Sequence, residues 1–416
     1  MQEKEPALTT EDSKESIPFP NPPFIRYIIG EAISMTGTWM QAMAHSWVVV
    51  GLTTSAVMVG WVNLAGGLPV LALSMIGGLY ADKYDKRYIL QICQVVQIFF
   101  SLLLGYLVAQ GDIQIWHIIL ASFLLGISGA FEMPAASAIV PELVGRANVA
   151  KAVAFDRAVF HGTRLIGPAL AGFIVGHYGA SLAYYINALS FLALMIALLT
   201  LPKRTKGTVA QEEKRKHGIG EGFRHVFNDR PSFAMILLMA TNTVFVFPVM
   251  VIQLPLYTKY TLQLEPQQLG WLMLSSGLGS LTGSIAVPFV KHKWRPNLII
   301  LAVTLICIAL LSLSMADIFL WAAGSLVCLA LGVSTLIGIS NIVIQERAPE
   351  EIRGRVSAVA SLSFFGLLPF AGMVTSVLAD VWGMRPTLLT SACAYALIGI
   401  GVLSWIGKAA SHELEK

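Results

Sequence analysis

The sequence predicts an all-α membrane protein of twelve transmembrane helices in two six-helix halves, and three observations carry that prediction. Of 416 residues, 56% are apolar and only 12% charged, with a mean hydropathy of +0.70; soluble domains carry about 25% charged residues. The apolar residues gather into twelve runs, each near the roughly 20 residues that a helix needs to cross a bilayer. The Lys and Arg residues fall almost entirely in alternate breaks between those runs.

Residues 1–23 form a polar tail of mixed charge with no apolar core, so no cleavable signal is expected. Its last part, Ser16 to Pro22, reads as an extended lead-in. Residues 24–201 hold spans 26–51, 56–79, 88–109, 114–139, 149–175 and 179–201. Thr53-Thr54, Gly111-Asp112 and Gly176 to Gly179 punctuate them as turns. Residues 202–231 form a basic linker with Lys203, Arg204, Lys206 and Lys214-Arg215-Lys216, and Gly220 to Phe227 within it fits a short amphipathic helix on the inner leaflet. Residues 232–408 hold spans 232–256, 266–290, 297–315, 318–343, 354–379 and 385–407, and 409–416 form a second tail. Cys93, Cys307, Cys328 and Cys393 all lie inside apolar runs without CxxC spacing and read as small buried hydrophobes.

Orientation follows from the positive-inside rule. With both termini in the cytoplasm, every Lys and Arg lies on the cytoplasmic side or its interface, except Lys259 and Arg385 outside and Arg157 and Arg164 within the fifth span. The net charge of +4 therefore belongs to membrane loops and needs no nucleic acid. There is no Walker loop, HExxH or GxSxG, which argues against an ATP-driven pump or a membrane enzyme, and no metal site or cofactor is expected. Two six-helix halves joined by a basic loop suggest a pseudo-symmetric transporter.

Four stretches carry a resemblance. Span one has Gly37-Thr38-Trp39-Met40-Gln41, then Ala44, Trp47, Leu52-Thr53 and Ser55. Between spans two and three, Gly78-Leu-Tyr-Ala-Asp82-Lys83-Tyr-Asp85-Lys86-Arg87 is an ordered string of charges. Spans four and five carry Gly129 to Ala135, Pro141-Glu142-Leu143-Val144 and Gly167-Pro168-Ala169-Leu170-Ala171-Gly172. Gln345, Pro349 and Arg353-Gly354-Arg355-Val356 precede and open span eleven. On these motifs the chain resembles the major facilitator superfamily, and within it the branch of enterobactin exporters, macrolide-efflux permeases and transmembrane secretion effectors. One departure is Asp85, where many members have Gly. In the second half the corresponding loop, Lys291-His292-Lys293-Trp294-Arg295, keeps the positive charge and lacks the Asp. The resemblance implies a central cavity lined by spans one, four, seven and ten, alternating access by rocking, and a Gly78–Arg87 loop that gates the cytoplasmic side. It also implies an inward proton gradient as the driving force. In the loop, Gly78 is expected to end a closely packed helix, Asp82 to face a helix N-terminus, and Lys83, Lys86 and Arg87 to stay among the headgroups.

Charges inside the hydrocarbon cost about 2.5–3.5 kcal/mol each on insertion scales, so each needs a reason. They concentrate in the first half: Glu31, Glu132, Asp156, Arg157 and Arg164, with His45 and His161. Arg157, His161 and Arg164 share a face of span five at i, i+4, i+7. Glu132 and Arg157 fall at similar depth, which predicts a pair that is either structural or part of a proton-coupling site. Glu132, Asp156, Glu31 and His45 are the coupling candidates. The second half offers only neutral polarity, from which Gln41 of span one with Asn242, Phe245, Gln253 and Asn341 are the cavity candidates. Gly167, Pro168 and Gly172 predict a kink and a close helix contact in span five.

The function expected is secondary active export of a small amphipathic organic molecule, such as a drug, siderophore or secondary metabolite, by a monomer in lipid of the bacterial cytoplasmic membrane. A lipid or lysolipid translocator of the same fold and a non-transporting sensor or scaffold are the alternatives.

Overall fold

The structure is a computed structural model that describes residues 19–202 and 220–414. Helix α1, Pro22–Leu52, begins at Asn21, whose Oδ1 accepts the Phe24 N–H at 2.9 Å, with Pro22 placed where a helix needs no N–H. The Asn21 amide also donates to the Leu143 carbonyl at 2.7 Å, tying the start of α1 to the end of α4. Five more helices complete the first half: α2 Ala56–Lys83, α3 Lys86–Gln110, α4 Ile115–Val144, α5 Val149–Tyr178 and α6 Ala180–Leu199. The short α7, Gly220–Asn228, leads into α8, Arg230–Thr261, then α9 Pro266–Ala286, α10 Arg295–Met315, α11 Phe319–Arg347, α12 Arg353–Trp382 and α13 Met384–Leu414. Twelve of these match the predicted spans in order. Eleven are long and apolar enough to cross a membrane on those grounds alone. The twelfth, α1, is 31 residues long but carries Glu31, Ser34, Thr36, Thr38, Gln41 and His45 and packs on α5 and α6. Large apolar side chains such as Ile29, Met75, Ile92, Leu189 and Leu397 are exposed, as lipid-facing positions require.

Within each half, the closest backbone-to-backbone approach joins one helix pair. In the first half α2 crosses α4, and a Cβ added at Gly77 would sit 2.1 Å from the Ala130 carbonyl oxygen. In the second, α9 crosses α11, and a Cβ at Gly279 would sit 2.2 Å from that of Val327. These equivalent crossings express the pseudo-symmetry in small residues, the usual currency of helix contacts in lipid.

The halves meet along two seams, α5 on α9 and α2 on α12. We call the side bearing the termini and α7 the terminal face, and the opposite side the distal face. The close approaches along the seams run from the distal face to mid-membrane. At Gly270 an added Cβ would lie 2.7 Å from the Pro168 carbonyl oxygen and 3.0 Å from the Gly172 Cα, while Gly67 meets Pro369 and Gly277 meets Leu165 near the middle. The terminal part of α12, Arg353–Phe365, packs instead on α7, α8 and α11.

Two spans depart from the continuous helices predicted. α8 widens into π-turns over Pro248–Gln253 and Tyr257–Thr261, and α12 is interrupted at Gly366-Leu367. Pro248, Pro255 and Pro369 remove backbone donors there, and such interruptions are where helices kink. The predicted amphipathic segment is α7, which buries Gly222 and Val226. Gly222 lies against the Arg355 carbonyl, and Glu221 pairs with the Arg355 guanidinium.

Candidate functional site

A cavity of about 650 Å³ lies among α1, α2, α3, α4 and α6. Its second-half lining comes from Val251 and Ile252 of α8 and Leu368 and Pro369 of α12. Gly66 and Gly67 of α2 and Gly126 and Gly129 of α4 border it, and Gly126 also lets the two helices meet, since an added Cβ would sit 2.3 Å from the Gly66 carbonyl oxygen. Spans one, four and seven contribute as expected; span ten does not, and spans two, three, six and eleven do.

Two carboxyl groups reach this cavity from different helices. Glu132 of α4 accepts hydrogen bonds from Gln94 Nε2 at 3.0 Å and Gln97 Nε2 at 2.5 Å, both on α3. Glu31 of α1 is 8% exposed, faces Tyr27 and Asp156, and its buried Oε2 has no hydrogen-bond partner. Nearer the distal face is a neutral polar belt. Gln41 Oε1 accepts from Ser101 Oγ at 2.7 Å and Asn187 Nδ2 at 2.8 Å, and Ser190 donates to Asn187 Oδ1 at 2.9 Å. His45 Nδ1 lies 3.0 Å from the Tyr184 hydroxyl, with Ser122 Oγ 3.5 Å from Nε2.

The predicted Glu132–Arg157 pair does not form. Glu132 is held by the two glutamines, while Arg157 is exposed on α5. Equal depth set their height but not the direction in which each helix turns its side chain. Arg164 lies over the Trp39 ring at 5.4 Å, and His161 stands beside Phe160. Asp156, Arg157, His161 and Arg164 lie outside the cavity lining. So do the second-half candidates. Asn242 and Gln253 are fully buried in the second half, Asn242 against Tyr395 of α13, and Phe245 and Asn341 are half-buried. Gln41 does line the cavity. Gly167 packs against Trp39 and Thr36 of α1, and Gly172 against α9, so the Gly-Pro element bears both on its own half and on the other.

The Gly78–Arg87 loop also differs from expectation. α2 continues to Lys83, the tightly packed glycine is Gly77, and Gly78 borders open space. The helix N-terminus is capped by Asp85, whose carboxylate accepts the Arg87 N–H at 3.0 Å and holds the Arg87 guanidinium at 2.6 Å. Arg87 also donates to the Leu201 carbonyl at 2.8 Å. Lys86 is buried and pairs with Glu142 at 2.5 Å, rather than lying among headgroups. Lys83 lies over the Tyr84 ring, and Asp82 is exposed with no hydrogen bond or ion pair among the described residues. Asp85, the departure from the superfamily pattern, thus supplies the cap expected of Asp82. Elsewhere on the terminal face, Asp229 caps α8 and binds Arg347 at 2.6 Å. Burial would raise its carboxyl, but hydrogen bonds from Arg347 and Ser232 outweigh that and hold it at about 2.

The distal face holds residues that sequence reasoning passed over. Asp380, at the end of α12, accepts from Ser55 Oγ and the Ala56 N–H, each at 2.5 Å, and from the Val57 N–H at 3.1 Å. That places an anion on the N-terminus of α2. Lys259 Nζ and the Tyr260 hydroxyl of α8 both donate to the Val50 carbonyl at the C-terminal end of α1, at 3.1 and 2.7 Å. Each charge complements the helix dipole it meets. Lys259 had appeared only as an exception to the charge asymmetry, and Asp380 had not been singled out; their signal was position beside a helix end of the other half.

A transmembrane secretion effector family matches residues 15–412. The chain belongs to that family, within the major facilitator superfamily. This secretion effector is 27% identical over 382 residues to the staphyloferrin A transporter of Staphylococcus aureus, covering 88% of this chain and 90% of that one. It is 24% identical over 393 residues to the multidrug efflux pump Tap of Mycolicibacterium fortuitum, covering 91% and 94%. Among solved structures, the nucleoside transporter NupG superposes with a TM-score of 0.72 over 92% of this chain and 99% of that one at 13% identity, a likeness of fold. As a member of the superfamily, the protein is an integral membrane transporter of small molecules and not an enzyme.

Proposed function

We propose that the chain is a proton-coupled exporter of small amphipathic organic molecules, with both termini and the 202–231 linker in the cytoplasm of a bacterial cell. The observation that carries this reading is the cavity: two carboxyl groups, Glu31 and Glu132, facing a largely apolar space bounded by both halves. The efflux-pump relative supports the direction of transport. With the termini cytoplasmic, the distal contacts close the outer side and leave the terminal side free, a state that takes substrate from within. Rocking about the seams then exchanges the two closures, and Asp82 latches the inner side in the opposite state. Glu132 is the leading proton carrier, because a carboxyl held only by neutral amides can gain and lose a proton without breaking an ion pair.

Uptake of substrate into inverted vesicles under an imposed pH gradient tests the proposal. Glu132→Gln is expected to abolish pH-driven accumulation and to preserve exchange down a substrate gradient; full pH-driven accumulation in a well-folded variant removes Glu132 from coupling. Impermeant labelling of single cysteines at Lys214 and Asp317 in intact cells tests orientation, with labelling expected at 317 alone.

A lipid translocator is the second reading. It draws on a separate groove of about 460 Å³ between α2, α3 and α4, walled by Tyr80, Ile92, Cys93, Phe100 and Phe131, of which Tyr80 and Ile92 are exposed. Lysolipid movement by the same vesicles without a pH gradient would favour it.

A further inference from the structure

We propose that the cavity takes an amphipathic organic cation, whose ammonium or guanidinium head binds at Glu31 with Glu132 nearby and whose apolar body lies against α2, α4 and the α8–α12 floor. This deepens the exporter reading and rests on it only in taking this cavity as the substrate site.

The first observation is charge. Glu31 and Glu132 line the cavity, and among the described residues no Lys or Arg does. Asp156 adds a third carboxyl beside Glu31. The nearest bases on α5 point elsewhere: Arg157 is exposed, and Arg164 lies over Trp39. His45, the one described lining residue that could carry positive charge, is held by Tyr184 and Ser122 at the distal end. An anionic molecule would meet two carboxyl groups here and, among the described residues, no Lys or Arg.

The second observation is independent of charge and concerns hydrogen bonds. The cavity residues with unpaired buried polar atoms offer acceptors: Glu31 Oε2 and Gln97 Oε1. Gln97 gives one amide N–H to Glu132, and its buried carbonyl oxygen has no partner. The Gln41 carbonyl oxygen already accepts from Ser101 and Asn187. Buried acceptors without donors are costly, and a ligand head that donates several N–H groups and carries positive charge answers both needs at once. An ammonium has three donors and a guanidinium five. Tyr27 and Phe191 in the lining add aromatic rings, a residue type that attracts cations.

The body of the ligand is specified by the remainder of the wall. Val62, Leu125, Met133, Val251, Ile252 and Leu368 are apolar, so a compact polar cation would leave them facing water. The class is therefore a cation with an aromatic or alicyclic body, and it differs in charge from polycarboxylate or catecholate chelators.

The test uses two fluorescent probes of matched size, dansylcadaverine with a terminal ammonium and N-dansyl-6-aminohexanoate with a terminal carboxylate, and the neutral N-acetyl derivative of the first. Full-length protein in nanodiscs is titrated with each at pH 7 against empty nanodiscs. The ammonium probe is expected to bind at least tenfold tighter than the carboxylate probe, with the neutral one between, and Glu31→Gln is expected to remove about that tenfold preference. Equal affinities, or a preference for the carboxylate, overturn the assignment without recourse to any variant. So does undiminished ammonium binding in Glu31→Gln and Glu132→Gln proteins that melt like the wild type. Selective ammonium binding without pH-driven transport would refute proton-coupled export and leave the charge assignment standing; pH-driven export of an anion would do the reverse.

Discussion

The two ends of the α2–α12 seam differ in kind. At the distal end Asp380 occupies the N-terminus of α2 with three hydrogen bonds, and Lys259 and Tyr260 hold the C-terminal end of α1, so the second half grips the α1–α2 hairpin through both helix dipoles. At the terminal end Asp82, on the same helix α2, is exposed and unpartnered among the described residues, and the facing part of α12 packs on its own half. One helix thus carries an engaged charge contact at one end and an idle one at the other. A transporter that opens alternately needs that asymmetry, since charge contacts made at both ends would favour occlusion.

The largest effect is expected from Gly270→Leu. Its Cβ would overlap backbone atoms of Pro168 and Gly172, for which no rotamer offers relief. The distal seam should fail to close, transport should fall by roughly tenfold or more, and a cysteine placed at Asn63 should label from the distal side. An unlabelled, fully active variant would break the comparison at its strongest point. Next is Asp380→Asn. Losing an anion hydrogen-bonded at a helix N-terminus is worth about 1–2 kcal/mol, roughly a five- to thirty-fold shift in populations. Spin-label distances across the distal face should lengthen, and unchanged distance distributions would show that the contact does not latch. Asp82→Asn sharpens the comparison because its effect is opposite in kind. The variant should melt like the wild type in the state described here, yet turn over roughly fivefold more slowly, as expected for about 1 kcal/mol lost from the other state; wild-type turnover rates would remove the inner latch. The smallest effect concerns Asp229. A carboxyl held at about 2 in the folded protein contributes stability that is complete above its unfolded value near 4 and is lost as pH falls toward 2. Asp229→Asn should therefore melt a few degrees lower at pH 6, with the gap narrowing below pH 4; a gap independent of pH would place the effect in packing.

The spans were legible because a bilayer demands long apolar runs, and α7 because its charged and apolar residues separate by face. The breaks in α8 and α12 were not, because membrane helices tolerate proline, and the residues alone do not say which prolines interrupt. In the site, residue type found the acids and Gln41, but it could not tell a polar side chain facing a cavity from one buried against a neighbouring helix, as Asn242 and Gln253 are. The partners of Glu132 were within reach: Gln94 and Gln97 stand three apart on one helix, a spacing that puts both amides on one face.

The backbone-on-backbone crossings at Gly77 and Gly279 bear on how far the molecule can move. With no side-chain cushion between α2 and α4, or between α9 and α11, neither half can bend without colliding with itself, so each behaves as a stiff beam. The mid-membrane contacts at Gly67–Pro369 and Gly277–Leu165 then act as a fulcrum. A beam of 30 residues is about 45 Å long, so a tilt of roughly 10° about its centre moves each tip by about 4 Å in opposite directions. That travel exceeds a hydrogen-bond length, so a single small rotation is enough to unhook Asp380 at one end while it brings the other end of α2 within grasp.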